Sequence, residues 1–157
     1  MARVCFVRTN FTYNQSKLGM TGVSFISFRL FFRKFAASNF KIEMKIKEIA
    51  VVLDATISCG AERLEEEVEM GYSSDLMSDV LTLDTDNLVL ITGLSNLQAI
   101  RTSEMADIRV IVLVRNKKAN QQMLDLAIEN EMCILESPYS LFKASGLLFQ
   151  AGLKPIY

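Results

Sequence analysis

The sequence contains no histidine. That absence removes catalytic triads, HExxH metalloprotease sites, Cys/His zinc fingers and every imidazole general base at once. The three cysteines, Cys5, Cys59 and Cys133, lie too far apart for a CxxC pair, so the common zinc-ribbon and dithiol motifs are excluded as well. Cys133 sits inside an apolar run, where a thiol serves as a small buried hydrophobe, and unpaired thiols suit a reducing cytoplasm. There is no GxxxxGK(S/T) phosphate loop and no GxGxxG after a strand, which disfavours nucleotide hydrolases and dehydrogenases. The acidic run Glu65-Glu66-Glu67 with Glu69 lacks the alternating oxygen ligands and glycine of a calcium loop and reads as a solvated surface. No catalytic residue, metal or cofactor is therefore expected.

What is present is a chain of 157 residues, 50% hydrophobic and 22% charged. This is enough to bury one core without disulfides or metal, and too short for a two-domain enzyme. The composition is split. Residues 1–43 hold seven Lys/Arg and one acid, whereas residues 44–157 hold ten Lys/Arg and seventeen acids, giving net charges of +6 and −7. Eight of the ten phenylalanines also precede Met44. The first stretch has no sustained period of 3.6 or 2. Its charge-free run between Lys17 and Arg29 is eleven residues, short of the ~18–20 that a spanning helix needs. Its cations follow or interrupt that run, unlike those of a signal peptide. Arg-rich, acid-poor composition is also that of an organelle transit peptide. The expectation favoured here is a non-domain extension over residues 1–43, disordered or lying upstream of a true start at Met44. The net −7 of the remainder argues against a nucleic-acid partner.

From Met44 the pattern is regular. Ile46, Ile49, Ala50 and Leu53 form one helical stripe. Residues 56–58 and 68–72 read as extended segments, with a Cys59-Gly60 turn between them. Ser74-Asp75 reads as the cap of a helix carrying Leu76, Met77, Val80 and Leu81. Residues 88–91 predict a strand buried on both faces. Ser95 then opens a helix in which Gln98 completes a capping box and Leu97, Ile100, Met105 and Ile108 line one side. Residues 110–114 predict the next buried strand, and Asn120 the next helix, with Met123, Leu124, Ala127 and Ile128 inward. Residues 133–135 repeat the short apolar strand. Ser137-Pro138 starts the last helix, with Leu141, Ala144, Leu148 and Phe149 apolar and Gly152 and Pro155 at its end. The alternation predicts an α/β fold: a single domain with a mainly parallel sheet flanked by helices.

In a parallel sheet the loops at the carboxyl ends of the strands share one edge, and ligands tend to bind there. This edge should carry Thr92, Gly93, Ser95 and Asn96 after the first buried strand, Arg115 with Lys117 and Lys118 after the second, and Glu136 and Ser137 after the third. Gly93 permits close backbone approach, the helix start at Ser95 offers free amides, and cations lie nearby, as an anionic ligand requires. An ordinary turn, a cap and a solvated loop explain the same residues. Ser73, Ser74 and Asp75 place two hydroxyls and a carboxylate at another strand-to-helix junction, where capping accounts for Ser74 or Asp75 equally well. No base accompanies either serine, so serine catalysis lacks its proton acceptor.

Taken together, GYSSDLMSDVL (71–81), LVLITGLSN (88–96), IRTSEMADIRVIVLVRN (100–116) and CILESPYSLFKASGLL (133–148) resemble the DRTGG domain family over residues 44–154. The YxSDLMSDVL stretch and the TGLxN loop are similar to the small stand-alone bacterial members. The resemblance implies a non-catalytic regulatory or assembly module. Such modules occur in phosphate acetyltransferases and in pyrophosphatases with CBS domains, and are similar to the amino-terminal domain of HPr kinase/phosphorylase and, more distantly, of Mur ligases. A small anionic or nucleotide-like ligand or a partner protein is thereby implied, with assembly as a homodimer in the cytoplasm. A small enzyme acting on a phosphorylated metabolite is the alternative. One departure stands out: the family's Gly-Asp-Arg falls on Gly93-Leu94-Ser95-Asn96 and its Thr-Gly-Gly on Val114-Arg115-Asn116. The named residues are missing, although Arg115 returns a guanidinium to the same edge. Nothing before Met44 shares the resemblance.

If residues 1–43 lie outside the domain, a chain beginning at Met44 unfolds cooperatively with the stability of the full chain. Thermal melts of the two by circular dichroism check this, and a shortened chain that fails to fold refutes the boundary.

Overall fold

The computed structural model describes residues 43–84 and 87–157. Apart from Glu43, the extension assigned to residues 1–43 lies outside the described residues. The chain opens with β1 (Met44–Lys45), α1 (Ile46–Val52) and β2 (Thr56–Cys59), then a 3-10 turn over Ala61–Arg63. It continues through β3 (Glu67–Val68), β4 (Met70–Ser73) and α2 (Met77–Val80) to β5 (Leu88–Thr92). The alternation completes itself in α3 (Leu97–Met105), β6 (Val110–Leu113), α4 (Gln121–Glu129), β7 (Cys133–Glu136), α5 (Leu141–Ala151) and β8 (Lys154–Pro155).

The main sheet has the order β2-β7-β6-β5-β4-β8. Strands β4 to β7 run parallel, β8 joins β4 in parallel, and β2 closes the other edge antiparallel to β7. The fold is thus α/β with a mainly parallel sheet, as the alternation predicts. Strands β1 and β3 form a separate antiparallel ribbon. The sequence marks an extended segment at residues 56–58 but not its antiparallel direction, and the two-residue strands of the ribbon and β8 are too short to show a period.

Every residue of β5, β6 and β7 is buried, and period-2 alternation divides them between two cores. Val89, Ile91, Val110, Val112 and Leu135 pack with Ile46, Ile49 and Leu53 of the α1 segment and Ala144 and Leu148 of α5. On the opposite face Ile111, Leu113 and Ile134 meet Ile100, Met123 and Ala127, while Leu88 and Leu90 meet Met77, Val80, Ala99 and Ile108. The helical stripes are narrower than the sequence suggests, for Leu76, Leu81, Met105, Ile128 and Phe149 are exposed. Met105 lies two residues beyond buried Ser103, about 200° around the helix, while Ile128 and Phe149 each follow a buried neighbour by about 100°. The last helix also begins later than expected. Ser140 is its N-cap, accepting from the Lys143 amide, whereas Ser137 is buried and donates to the Leu53 carbonyl at 2.7 Å.

The helices return to the sheet through one repeated device. After α1, α3, α4 and α5 the chain steps into the left-handed region at Asp54, Asp107, Glu131 and Gly152. The following amide then reaches back to close a Schellman motif, in Ala55 to Ala50, Ile108 to Ser103, Met132 to Ala127 and Leu153 to Leu148. Only the last uses glycine. Glu131, at φ 54°, bears the largest side chain of the four, and a non-glycine residue there costs about 1–2 kcal/mol. Glu131→Gly is expected to stabilise the domain by about 0.5–1 kcal/mol after glycine's greater unfolded-state entropy is subtracted. A raised urea midpoint at unchanged m checks it; an unchanged or lowered midpoint refutes it.

Candidate functional site

Strands β4 and β5 are neighbours in register, with Ser73 opposite Ile91. The Ser74 amide extends the ladder to the Ile91 carbonyl at 3.1 Å. The two chains therefore leave the sheet side by side, and Asp75 turns across to its neighbour instead of capping its own helix. Its Oδ1 accepts from the Gly93 amide at 2.6 Å and from Thr92 Oγ1 at 2.9 Å, and its Oδ2 accepts from Arg115 Nη2 at 2.6 Å. Thr92 is buried, and its Oγ1 also accepts from the Leu94 amide at 3.1 Å. Partial burial works to raise the Asp75 carboxyl, but the Gly93 amide, the Thr92 hydroxyl and the Arg115 guanidinium outweigh it and hold the group below the ordinary carboxylate range. The one-turn α2 starts at Leu76 without a side-chain cap, and Ser74 Oγ accepts from the Leu76 amide at 3.0 Å.

Arg115 and Asn116 both have positive φ, 63° and 55°, and the Lys117 amide reaches the Val114 carbonyl at 3.2 Å. This is a tight turn that glycine fills most readily. The turn is fixed to the β7–α5 loop, with the Arg115 amide on the Tyr139 carbonyl at 2.7 Å and the Asn116 amide on the Ser137 carbonyl at 3.2 Å. From it the guanidinium folds back over Gly93, where an added Cβ would lie 1.6 Å from Nη2. Gly93 does not have positive φ. Its openness admits Arg115 rather than a sharp turn, so the arginine itself fills the approach expected for a ligand.

The α3 helix starts one residue later than expected. Asn96 is the N-cap, its Oδ1 accepting from the Ala99 amide at 3.0 Å, and Ser95 Oγ donates instead to the Lys118 carbonyl. The capping box from Ser95 to Gln98 is not formed. Lys118 is paired with the buried Glu136 at 2.8 Å, which also accepts from the Ala119 amide at 2.7 Å. Burial opposes ionisation of Glu136, but the lysine and the amide prevail and lower its pKa. Thus Asp75, Thr92, Gly93 and Arg115 form one connected cluster, Ser95 and Asn96 stand behind it at the start of α3, and Ser73 and Ser74 lie at the end of β4.

Ser73 points elsewhere, into a groove of about 410 Å³ between α5 and the β4–β8 edge, walled by Phe142, Phe149 and Tyr157. The sequence reading missed this groove. Its signal was Gly146 in mid-helix with Ser145 beside it and a phenylalanine on either side. Nucleophiles are poorly supplied. Burial pushes the Cys133 thiol up to about 12 and also raises Cys59, so neither is a thiolate at neutral pH. Glu65 pairs with Lys45 and Lys47, and Glu66 with Arg63. Among the described residues no three His, Cys, Asp or Glu side chains are grouped to hold a metal ion, and no helix is long and apolar enough to cross a membrane.

Because the folded pKa of Asp75 is depressed, its bracket contributes stability above the ordinary carboxylate range, and that contribution is lost as the pH falls through the depressed value. Arg115→Ala and Gly93→Ala both part the guanidinium from the carboxylate, and each is expected to raise the Asp75 pKa. The pair is half exposed, at 48% and 40%, so the stability cost at pH 7 should be no more than about 1 kcal/mol. Carbon-13 titration of the carboxyl checks this, and an unmoved pKa in both variants excludes the pairing.

No family model matches the chain, and no curated protein does. Among solved structures the chain is similar to the CBS and DRTGG domains of the regulatory region of Clostridium perfringens pyrophosphatase, a structure complexed with the activator diadenosine tetraphosphate. The TM-score is 0.62 at 13% identity, and the match covers 80% of this chain and 56% of that one. This chain therefore spans little more than half the length of its neighbour. At that identity the likeness shows the fold alone, a DRTGG-like α/β fold.

Proposed function

We propose that residues 44–157 form a regulatory module rather than an enzyme, binding a small anionic, nucleotide-like ligand at the carboxyl edge of the sheet and assembling as a homodimer. The observation that carries the reading is the guanidinium of Arg115, held over Gly93 at the ends of the buried strands. One of its nitrogens is on Asp75, and the group is half exposed. Among the described residues its remaining donors make no hydrogen bond, so an anion can be met without rebuilding the site. Lys117 adds a cation that has no acidic partner among the described residues. An anion that draws Arg115 off Asp75 would loosen the bracket joining the ends of β4 and β5, which gives binding a route to the neighbouring α2. The fold neighbour is a regulatory region bound to a nucleotide activator, which supports the same reading here. The free thiols Cys59 and Cys133 suit a cytoplasmic setting, and exposed Met105 of α3 and Ile128 of α4 suit self-association.

The competing reading is a small enzyme acting on a phosphorylated metabolite. Incubation with a panel of nucleotides and phosphoesters separates the two: saturable binding without turnover is expected, and turnover above blank overturns the proposal. Arg115→Ala should weaken binding by about 1.5–3 kcal/mol, the worth of a charge-assisted hydrogen bond. Sedimentation at tens of micromolar, roughly the scale of weak contacts, tests the dimer.

A further inference from the structure

Along α5, Phe142, Ser145, Gly146 and Phe149 stand at i, i+3, i+4 and i+7 and so share one face, with two small residues between two large ones. The phenylalanines are 91% and 65% exposed, although both line the groove beside β4 and β8. Exposed aromatic walls around a notch mark a surface that something else covers. Gly146 has no local reason to be glycine. It is helical, and a Cβ added to it would meet nothing within 4 Å, while glycine in mid-helix is less stable than alanine. Its effect is to keep the notch open.

The polar end of the notch has a fixed sense. Ser145 Oγ donates its one hydrogen to the Leu141 carbonyl at 2.8 Å, so in the 2.6 Å contact between Ser73 and Ser145 it is Ser73 that donates. The lone pairs of Ser73 Oγ remain to accept from an N–H or O–H donor in the groove. Charge favours an anionic group on the same ligand: Lys154 lines the groove and no Asp or Glu side chain does, in a domain whose ten Lys/Arg are outnumbered by seventeen Asp/Glu. The groove also adjoins the anion-accepting edge. Ser73 is two residues from Asp75, within about 7 Å along the chain, and the Tyr139 carbonyl just ahead of α5 holds the Arg115 amide. A volume of about 410 Å³ is in the range of small-molecule sites.

We infer that this groove holds the aromatic ring of the ligand, a flat heterocycle bearing an exocyclic amine as a nucleobase does. The ring lies between Phe142 and Phe149, its amine donates to Ser73, and its anionic group is directed toward Arg115. The inference deepens the regulatory reading and rests on it for the anionic group alone.

The full chain is titrated calorimetrically with adenosine, with purine riboside, which lacks the amine, and with AMP. Adenosine should bind saturably, purine riboside about 3- to 10-fold more weakly, and AMP more tightly by an increment that Arg115→Ala removes. Gly146→Leu should abolish adenosine binding while melting no lower than wild type. Phe142→Ser, at a fully exposed position, should weaken adenosine about tenfold and serves if the leucine variant does not fold. Adenosine binding unchanged in these variants overturns the inference, and so does Arg115-dependent binding of AMP with no binding of adenosine; in the second case the anionic edge stands. Adenosine binding that depends on Gly146, with AMP no tighter and indifferent to Arg115, upholds the groove and overturns the anionic site. Loss of self-association in Gly146→Leu without any nucleoside binding makes the notch a protein contact, which also overturns the inference.

Discussion

Three adjacent strands buried on both faces set the terms for the rest of the molecule. Within β5, β6 and β7 no side chain can be polar and unpaired without a cost of about 1–3 kcal/mol, so hydrogen-bonding chemistry is confined to the strand ends. Thr92 and Glu136 close β5 and β7, and both are buried and fully engaged there. The carboxyl edge is consequently a line of small, self-satisfied networks, each built around one carboxylate. Asp75 gathers an amide, a hydroxyl and a guanidinium; Glu136 gathers an amide and an ammonium. Both stay ionised against burial because their donors come from neighbouring loops. The same contacts that fix the loops therefore hold the charge pattern a ligand would meet.

Much of the fold was legible in the sequence, and the reason is the same constraint. Strands buried on both faces are written as unbroken Val, Ile and Leu runs, and the intervening helices must each present an apolar stripe, so residues 88–151 announce their alternation. Asn120 was legible as a cap because its side chain has one short-range task, accepting from the Met123 amide at 2.9 Å. Ser95, Ser137 and Asp75 were misread as caps because each polar group serves a partner distant in sequence: the Lys118 carbonyl, the Leu53 carbonyl and the Gly93 amide. Local rules cannot distinguish a cap from a residue that reaches across the sheet.

The candidate site was legible as a neighbourhood and not as a geometry. Residue order placed Thr92, Gly93 and Arg115 at one edge, but nothing in it revealed that Arg115 would fold back onto Gly93 or that Asp75 would receive it. Those facts depend on positive φ at Arg115 and Asn116, a conformation glycine would have signalled and these residues conceal. The α5 groove was hidden for another reason. Phe149 fits an inward stripe by spacing, and only the observed rotation of the helix turns it outward.

The two outermost strands carry a consequence for how copies of this domain can meet. β8 is two residues long and includes Pro155, which has no amide hydrogen to offer a further strand. At the opposite margin β2 pairs with an irregularity between Ile57 and Cys59, and a bulged strand bends away from the flat template that a newcomer would need. Both margins are thus blunted against sheet extension, the route by which open α/β sheets polymerise. Association is left to the helical layers, where side chains rather than backbone choose the partner and where growth can close on itself instead of continuing into a fibre.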